Sequence, residues 1–379
     1  MTTSIVTWLQ RLVNIPSVTP NHAGPKAFTP GEGAMTTYVA RAFQDLEADE
    51  IIYDPVLPGR DNLYGVWYGV NPHEIVLLDV HLDTVGVEQM HIDPFGGELR
   101  DGRLYGRGAV DTKASLAIAL HLLEEHIASG KALPYTVVIA TTVDEEEGGT
   151  GALALAKWLK QRQWRPQRMI VAEPTLCQPV YGHKGLVRQF ISVQGVAAHT
   201  AQPHLGQNAI AAMAQIVTAL VAEHERLQRL PAVGLGHGTL TVSLIDGGRG
   251  MNIVPDHCRI GIDRRVVDGE DVAQVATDIA ALCHAASPLP VTVEQVIHAN
   301  AFFQDPTHPW ISEMTQYHAN EATIAPYGTN AYAYTDLADC CVVYGPGSIA
   351  QAHTADEWIE VAELERAAGF YRKWLLGGQ

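Results

Sequence analysis

The chain of 379 residues has no apolar run near the ~18 residues needed to cross a bilayer, and its first residues lack a basic segment leading into an apolar one. A cytoplasmic location is therefore expected. Cysteine is scarce. Cys177, Cys258, Cys283, Cys340 and Cys341 are odd in number and none is paired at two-residue spacing, which argues against a disulfide framework or a thiolate zinc site. They are expected to be reduced and mostly buried. Positive charge is also short: 25 Lys and Arg face 42 Asp and Glu, for a net charge of -17. Without a basic patch, nucleic acid and anionic membranes are not expected partners. Low-complexity tracts are missing too. What remains is 47% apolar sequence with mean hydropathy near zero, enough for two globular domains with a substantial core.

The most informative stretch runs from Val76 to Thr112. It opens as an apolar run that reads as a buried strand and ends at His81 and Asp83, a two-residue spacing that puts both side chains on one face of an extended backbone. A Gly- and Pro-rich excursion follows. Gly106–Asp111 then delivers one carboxylate just before an apolar-periodic helix, Lys113 to Ile127.

Upstream, Ser4 can cap a helix in which Ile5, Leu9, Leu12 and Val13 recur at helical spacing, and Pro16 ends it. A polar loop from Pro20 to Gly33 precedes a second helix, Glu32 to Leu46. Strands are expected at Asn62–Trp67, Ile75–Val80, Tyr135–Val143 and Met169–Ala172, with helices at Lys113–Ile127 and Gly151–Lys160 between them. That alternation predicts an α/β fold, a mixed sheet with helices on both faces. In such sheets sites form at the carboxyl ends of strands. Here those ends carry His81 and Asp83, then Asp144-Glu145-Glu146-Glu147, then Glu173. A bare acidic run usually marks an exposed turn before a helix. With His81, Asp111 and Glu173 at neighbouring strand ends, a pair of divalent cations better accounts for it.

From Tyr181 to His298 the rhythm changes to strand, helix, two strands, helix, strand, the ferredoxin-like order of an inserted α+β domain. Strand material returns at Cys340–Tyr344, followed by Gly345-Pro346-Gly347, His353 and a closing helix from about Glu360 to Leu376.

The segments HLDTV, GRGAVDTKAS, VDEEEGGTGA, AEPT, GHKGLVRQFISVQGVAAHTAQPHLGQNAI, NIVPDHCRIGIDRR and AHTADE occur in an order and spacing that resembles the di-zinc deacylase and carboxypeptidase family, which includes acetylornithine deacetylase and succinyl-diaminopimelate desuccinylase. The likeness spans essentially the whole chain. It implies a catalytic domain of residues 1–180 and 299–379 and a lid and dimerisation domain of residues 181–298. It also implies two zinc ions, with cobalt able to substitute: Asp111 bridges them, His81 and Glu173 complete one ion's ligands, and Glu146 with His353 the other's. Asp83 would accept the other ring N–H of His81, and the Asp111–Thr112 peptide would be cis.

By the same resemblance Glu145 is the general base, Glu147 a surplus acid, and His199 a lid residue that stabilises the oxyanion in a partner subunit's site, so a homodimer is implied. Asn252 and Arg265 match residues that hold a substrate carboxylate. Strand alternation would put Arg264 and Arg265 on opposite faces, with Arg264 in a structural ion pair. Thr329 and Gly347 resemble substrate-lining positions; Asn330 stands where relatives often carry aspartate. The implied activity is metal-dependent removal of the acyl group from an N-acyl amino acid, N-acetylornithine in the first instance. Succinyl-diaminopimelate desuccinylase and a carboxypeptidase or dipeptidase acting on short peptides are the alternatives. A non-catalytic binding relative should lack a ligand or the base, and none is missing.

Overall fold

The computed structural model describes residues 4–377, and they separate into two compact units. The first comprises 4–181, 304–324 and 329–377; the second comprises 182–303 and 325–328. The return to the first unit thus falls at 304, not 299. The last long strand, Val291–Ala299, is followed by Phe302–Phe303, which pairs with Gly182–His183 and keeps those residues in the second unit.

The first unit is a mixed sheet. Its strands run in the spatial order Glu50–Leu57, Arg60–Trp67, Tyr135–Thr142, Asn71–His81, Arg168–Val171 and Cys340–Val343, with Val180 continuing beyond Val343. The four strands from Tyr135–Thr142 to Cys340–Val343 are mutually parallel, and the first two join antiparallel. Parallel strands must be covered on both sides, and Tyr135–Thr142 is buried at every position. Leu63 and Trp67 belong to the core beneath the helices Ile5–Val13, Gly33–Asp45, Lys113–Ala128 and Val361–Leu376. On the other face Tyr64 packs its ring 4.6 Å from that of Trp158 on the helix Thr150–Arg162. Helices therefore cover both faces, as the alternation predicts. The strand Glu50–Leu57 has no counterpart in the sequence reading: Pro55 and the charged Glu50 and Asp54 break the apolar pattern of an edge strand.

The register brings the parallel strands to a common edge. His81 lies opposite Thr142, Asp79 opposite Val171, and Val171 opposite Val343. A small antiparallel sheet of Leu99–Arg100, Arg103–Tyr105 and Trp358–Glu360 links the segment before Asp111 to the one after His353.

The second unit has the strands Gly185–Gln194, Thr239–Gly247, His257–Val266 and Val291–Ala299 and the helices Ala209–Arg229 and Val272–Ala286. Its antiparallel sheet has the order 4-1-3-2 in the unit's own numbering, the ferredoxin-like arrangement. Ile191, Met213, Ile216, Ile260 and Ile279 form its core. All five cysteines are free and buried. No helix among the described residues is long and apolar enough to cross a membrane.

Candidate metal centre

Chain reversals at the sheet's carboxyl edge place the charged residues. Asp111 is at their centre: its Oδ1 lies 3.0 Å from His81 Nε2 and its Oδ2 3.3 Å from His353 Nε2. His353 Nε2 is in turn 3.1 Å from Glu146 Oε2. Two overlapping groups result, His81 with Asp111 and Glu173, and Asp111 with Glu146 and His353. Within each, one potential ligand atom per residue lies within 4.8 Å of the others. The first group is buried; in the second, Glu146 is half-buried and His353 exposed. The peptide between Asp111 and Thr112 is cis.

The electrostatics of the cluster suit cations. Burial, then the charges of Asp111 and Glu145, raises Glu173 well above the usual carboxylate range. Burial and Asp111 likewise raise Glu146. Burial opposes protonation of His81, yet its hydrogen bond to Asp111 and the nearby carboxylate charges outweigh it and raise the imidazole well above its ordinary value. Asp111 and Glu146 bring His353 up to about 10. Burial dominates the shifts of Glu146 and Glu173, while the raised histidines answer to surrounding carboxylates; a buried, carboxylate-rich site of this kind is one that divalent ions would suit. The donors are imidazole nitrogen and carboxylate oxygen with no thiolate, which fits a catalytic zinc-type centre.

Asp83 differs from expectation. The strand ends at His81, so Asp83 is not held on the same face by strand alternation. His81 Nδ1 meets the main-chain carbonyl of Asp83 at 2.9 Å, while the carboxylate oxygen nearest to it is 3.7 Å away. The carboxylate instead accepts the backbone N–H groups of Glu145 at 3.1 Å and of Glu146 at 3.0 Å. Glu145 is half-buried. Burial, reinforced by the charges of Glu146, Asp83 and Asp111, pushes its carboxyl up to about 8, the direction a general base needs to hold a proton briefly. Glu147 is exposed and its carboxylate accepts from Asn21 Nδ2.

Other residues hold the acidic turn and went unnoticed in the sequence. Asn62 brackets it, accepting from Val143 N–H at 3.1 Å and donating to the Gly151 carbonyl at 2.8 Å. Arg60 grips both oxygens of Glu32 at 2.7 Å and reaches Asp144 Oδ1 at 3.1 Å. Asp79, fully enclosed, accepts from Thr142 Oγ1 at 2.7 Å and Tyr334 OH at 2.8 Å. A polar break inside the run VLLDVH was its only sequence signal.

The remaining predicted positions fall in two places. In the first unit Thr329 is buried and its hydroxyl accepts from Ala331 N–H at 3.2 Å, capping a short turn. Asn330 Nδ2 donates to Thr142 Oγ1 and Asp79 Oδ2, so it is an internal strut. Gly347 has φ +75°, and its carbonyl accepts from Leu176 N–H at 2.6 Å; the positive φ favours glycine there. In the second unit His199 is exposed on a two-residue ribbon opposite Ile253, next to Asn252, whose carbonyl accepts from Thr200 N–H at 3.0 Å. Arg264 is buried against Glu270, while Arg265 is half-buried and its Nε donates to Asp263 at 2.8 Å. The two arginines do diverge, as alternation requires.

Two ligand clusters sharing one carboxylate at the carboxyl edge of a mixed sheet define a metal-dependent hydrolase. The chain belongs to peptidase family M20/M25/M40, whose model matches residues 77–377, and it is accordingly a hydrolase of amide bonds. It is 30% identical to an acetylornithine deacetylase of Proteus mirabilis over 299 residues, 76% of each chain. It is 28% identical to a succinyl-diaminopimelate desuccinylase of Cereibacter sphaeroides over 393 aligned residues, 96% of each. Among solved structures, Bacillus subtilis YxeP, described as a dinuclear metal-binding peptidase of the M20 family, has a TM-score of 0.69 at 14% identity, covering 98% of this chain and 96% of that one.

Proposed function

We propose that this protein is a cytoplasmic two-zinc deacylase that removes the acyl group from an N-acyl amino acid, with N-acetylornithine the first candidate. The observation that carries the reading is Asp111, whose two carboxylate oxygens each face a different imidazole. His81 and Glu173 would hold one ion with it, Glu146 and His353 the other. Bound there, the ions supply Lewis-acid activation of a water and of the scissile carbonyl. Glu145 takes the proton released as the water oxygen bonds to the carbonyl carbon. It returns that proton to the nitrogen as the C–N bond breaks, leaving a carboxylic acid and a free amine. Asp83 fixes Glu145 through its backbone. His199 supplies a hydrogen bond to the developing oxyanion, and Arg265 and Asn252 take the substrate's carboxylate, with Thr329 and Gly347 at the edge of its path.

His199 acts on the partner subunit's site, so the working form is a homodimer through the second unit. Support comes from the edge strand Thr239–Gly247, which exposes Leu244 and Ile245 at 60% and 66%. An uncovered apolar sheet edge of this kind invites pairing.

The test is a screen of N-acetylornithine, N-succinyl-diaminopimelate, other N-acyl amino acids and a dipeptide and tripeptide panel against chelated protein reloaded with zinc or cobalt. Metal-dependent cleavage of N-acetylornithine in preference to the rest is the expected result. Preference for peptides would favour the second reading, a peptidase, to which the likeness to YxeP lends support. Cleavage undiminished by chelation would overturn both.

A further inference from the structure

The late segment AHTADE supplies more than a histidine. Glu357 is wholly enclosed, at 0% exposure, and belongs to neither ligand group. Its Oε1 accepts the backbone N–H of Val110 at 2.9 Å and of Asp111 at 3.1 Å. Its Oε2 accepts the N–H of Gly108 at 3.1 Å and Nη1 of Arg107 at 2.8 Å. Four donors thus saturate one carboxylate, and three of them are consecutive or near-consecutive amides of the loop that presents Asp111. Arg107 closes the frame from the other side, its Nη2 donating to the Thr354 carbonyl at 3.2 Å, next to His353, and to the Gly86 carbonyl at 3.0 Å. The Gly106 N–H donates to the Glu357 carbonyl at 3.0 Å, and the strand Trp358–Glu360 pairs with Arg103–Tyr105 just beyond.

We infer that Glu357, with Arg107, is a positioning residue that sets the span between Asp111 and His353, and so governs the affinity of the second ion site separately from the first. The asymmetry follows from the scaffolding. His81 is the last residue of a parallel sheet strand, fixed by register opposite Thr142, and Glu173 follows two residues after the strand Arg168–Val171. His353 lies at the surface with φ +58°, on a loop. Residues that orient metal-binding side chains typically change metal affinity by about 10- to 100-fold when replaced. Here the loss should fall on one ion. Glutamine at 357 keeps the size of glutamate but replaces one oxygen that accepts two hydrogen bonds with an amide NH2 that donates, facing two donors. Aspartate keeps both acceptors and shortens the reach.

This inference rests on the two-ion reading of the cluster, and the experiment separates the two. Apo-protein is titrated with Zn2+ by calorimetry and with Co2+ by visible absorption, for wild type, Glu357→Gln and Glu357→Asp, with apo-protein melting as a check on folding. Wild type should bind two equivalents. Glu357→Gln should keep the first within about threefold and weaken the second by tenfold or more, and Glu357→Asp should restore part of the loss. Should Glu357→Gln not fold, the ratio of the two affinities is read from Glu357→Asp against wild type, and a changed ratio supports the inference. Two equivalents at unchanged affinity in the variants, or equal weakening of both, overturns it while leaving the two-ion reading intact. Failure of wild type to bind any divalent ion overturns both.

Discussion

Asp83 holds Glu145 by the backbone: one carboxylate oxygen accepts the Glu145 N–H and the other the N–H of the adjoining Glu146. The proposed base and a candidate metal ligand are thus set by the same buried group, and the His81 ring is left to the Asp83 main-chain carbonyl. Asp83→Asn puts an amide donor against one of two N–H donors, leaving buried polar groups unmatched. Turnover should fall by about 10- to 100-fold with His81 still bound to metal. Steady-state kinetics and metal content check this; loss of bound metal in step with turnover would assign Asp83 to the imidazole instead.

Glu145→Gln removes the proton acceptor without removing a ligand. General-base catalysis contributes on the order of 10²- to 10⁴-fold, so kcat should drop by about that factor. Fold and bound metal should be retained, as measured by circular dichroism and elemental analysis. Near-normal turnover would refute the assignment.

Arg60 is buried between Glu32 and Asp144. Breaking a buried pair from one side leaves a charge without compensation, at about 3–5 kcal/mol. Arg60→Met should therefore lower the unfolding free energy by about that amount, read from urea denaturation. A change below ~1 kcal/mol would show that the pair is solvated and of little weight.

His318 supplies a pH dependence away from the metal centre. Burial, with the Arg366 charge, lowers its pKa to about 4, and its Nε2 lies 2.5 Å from Tyr344 OH. The unfolded chain binds a proton near the ordinary 6.5 that the folded chain refuses until about 4. Stability is therefore full above pH 6.5 and declines as pH falls toward 4. Relative to His318→Gln, wild type should lose roughly 1–2 kcal/mol between pH 7 and 5. Parallel stability-versus-pH curves for the two proteins would contradict the assignment.

How far the site could be read from sequence follows from where each residue's partners lie. His81, Glu145, Glu146 and Glu173 stand out because each interrupts or ends an apolar run, and a polar residue there must be spoken for. Asp111 is marked by the glycine-rich turn that delivers it just ahead of a helix, whereas His353, one of 17 histidines and on a surface loop, needs the family resemblance. Arg60, Asn62 and Glu357 look like ordinary surface residues in a linear reading. The partners Glu32, Gly151 and Arg107 that fix them lie 28, 89 and 250 positions away, a distance that periodicity does not reach. Asp83 connects to the Glu145 and Glu146 amides and not to the His81 ring, because two-residue spacing implies a shared face only while the strand continues, and this one stops at His81.

His353 and the helix Val361–Leu376 join the first unit only after the whole second unit has intervened in the chain. Four of the five candidate ligands, His81, Asp111, Glu146 and Glu173, therefore precede the second unit in the chain, and the fifth follows it. On the proposed two-ion reading, a chain truncated upstream of residue 353 should keep the ligand set of the first ion only, so it should bind one equivalent of metal at most.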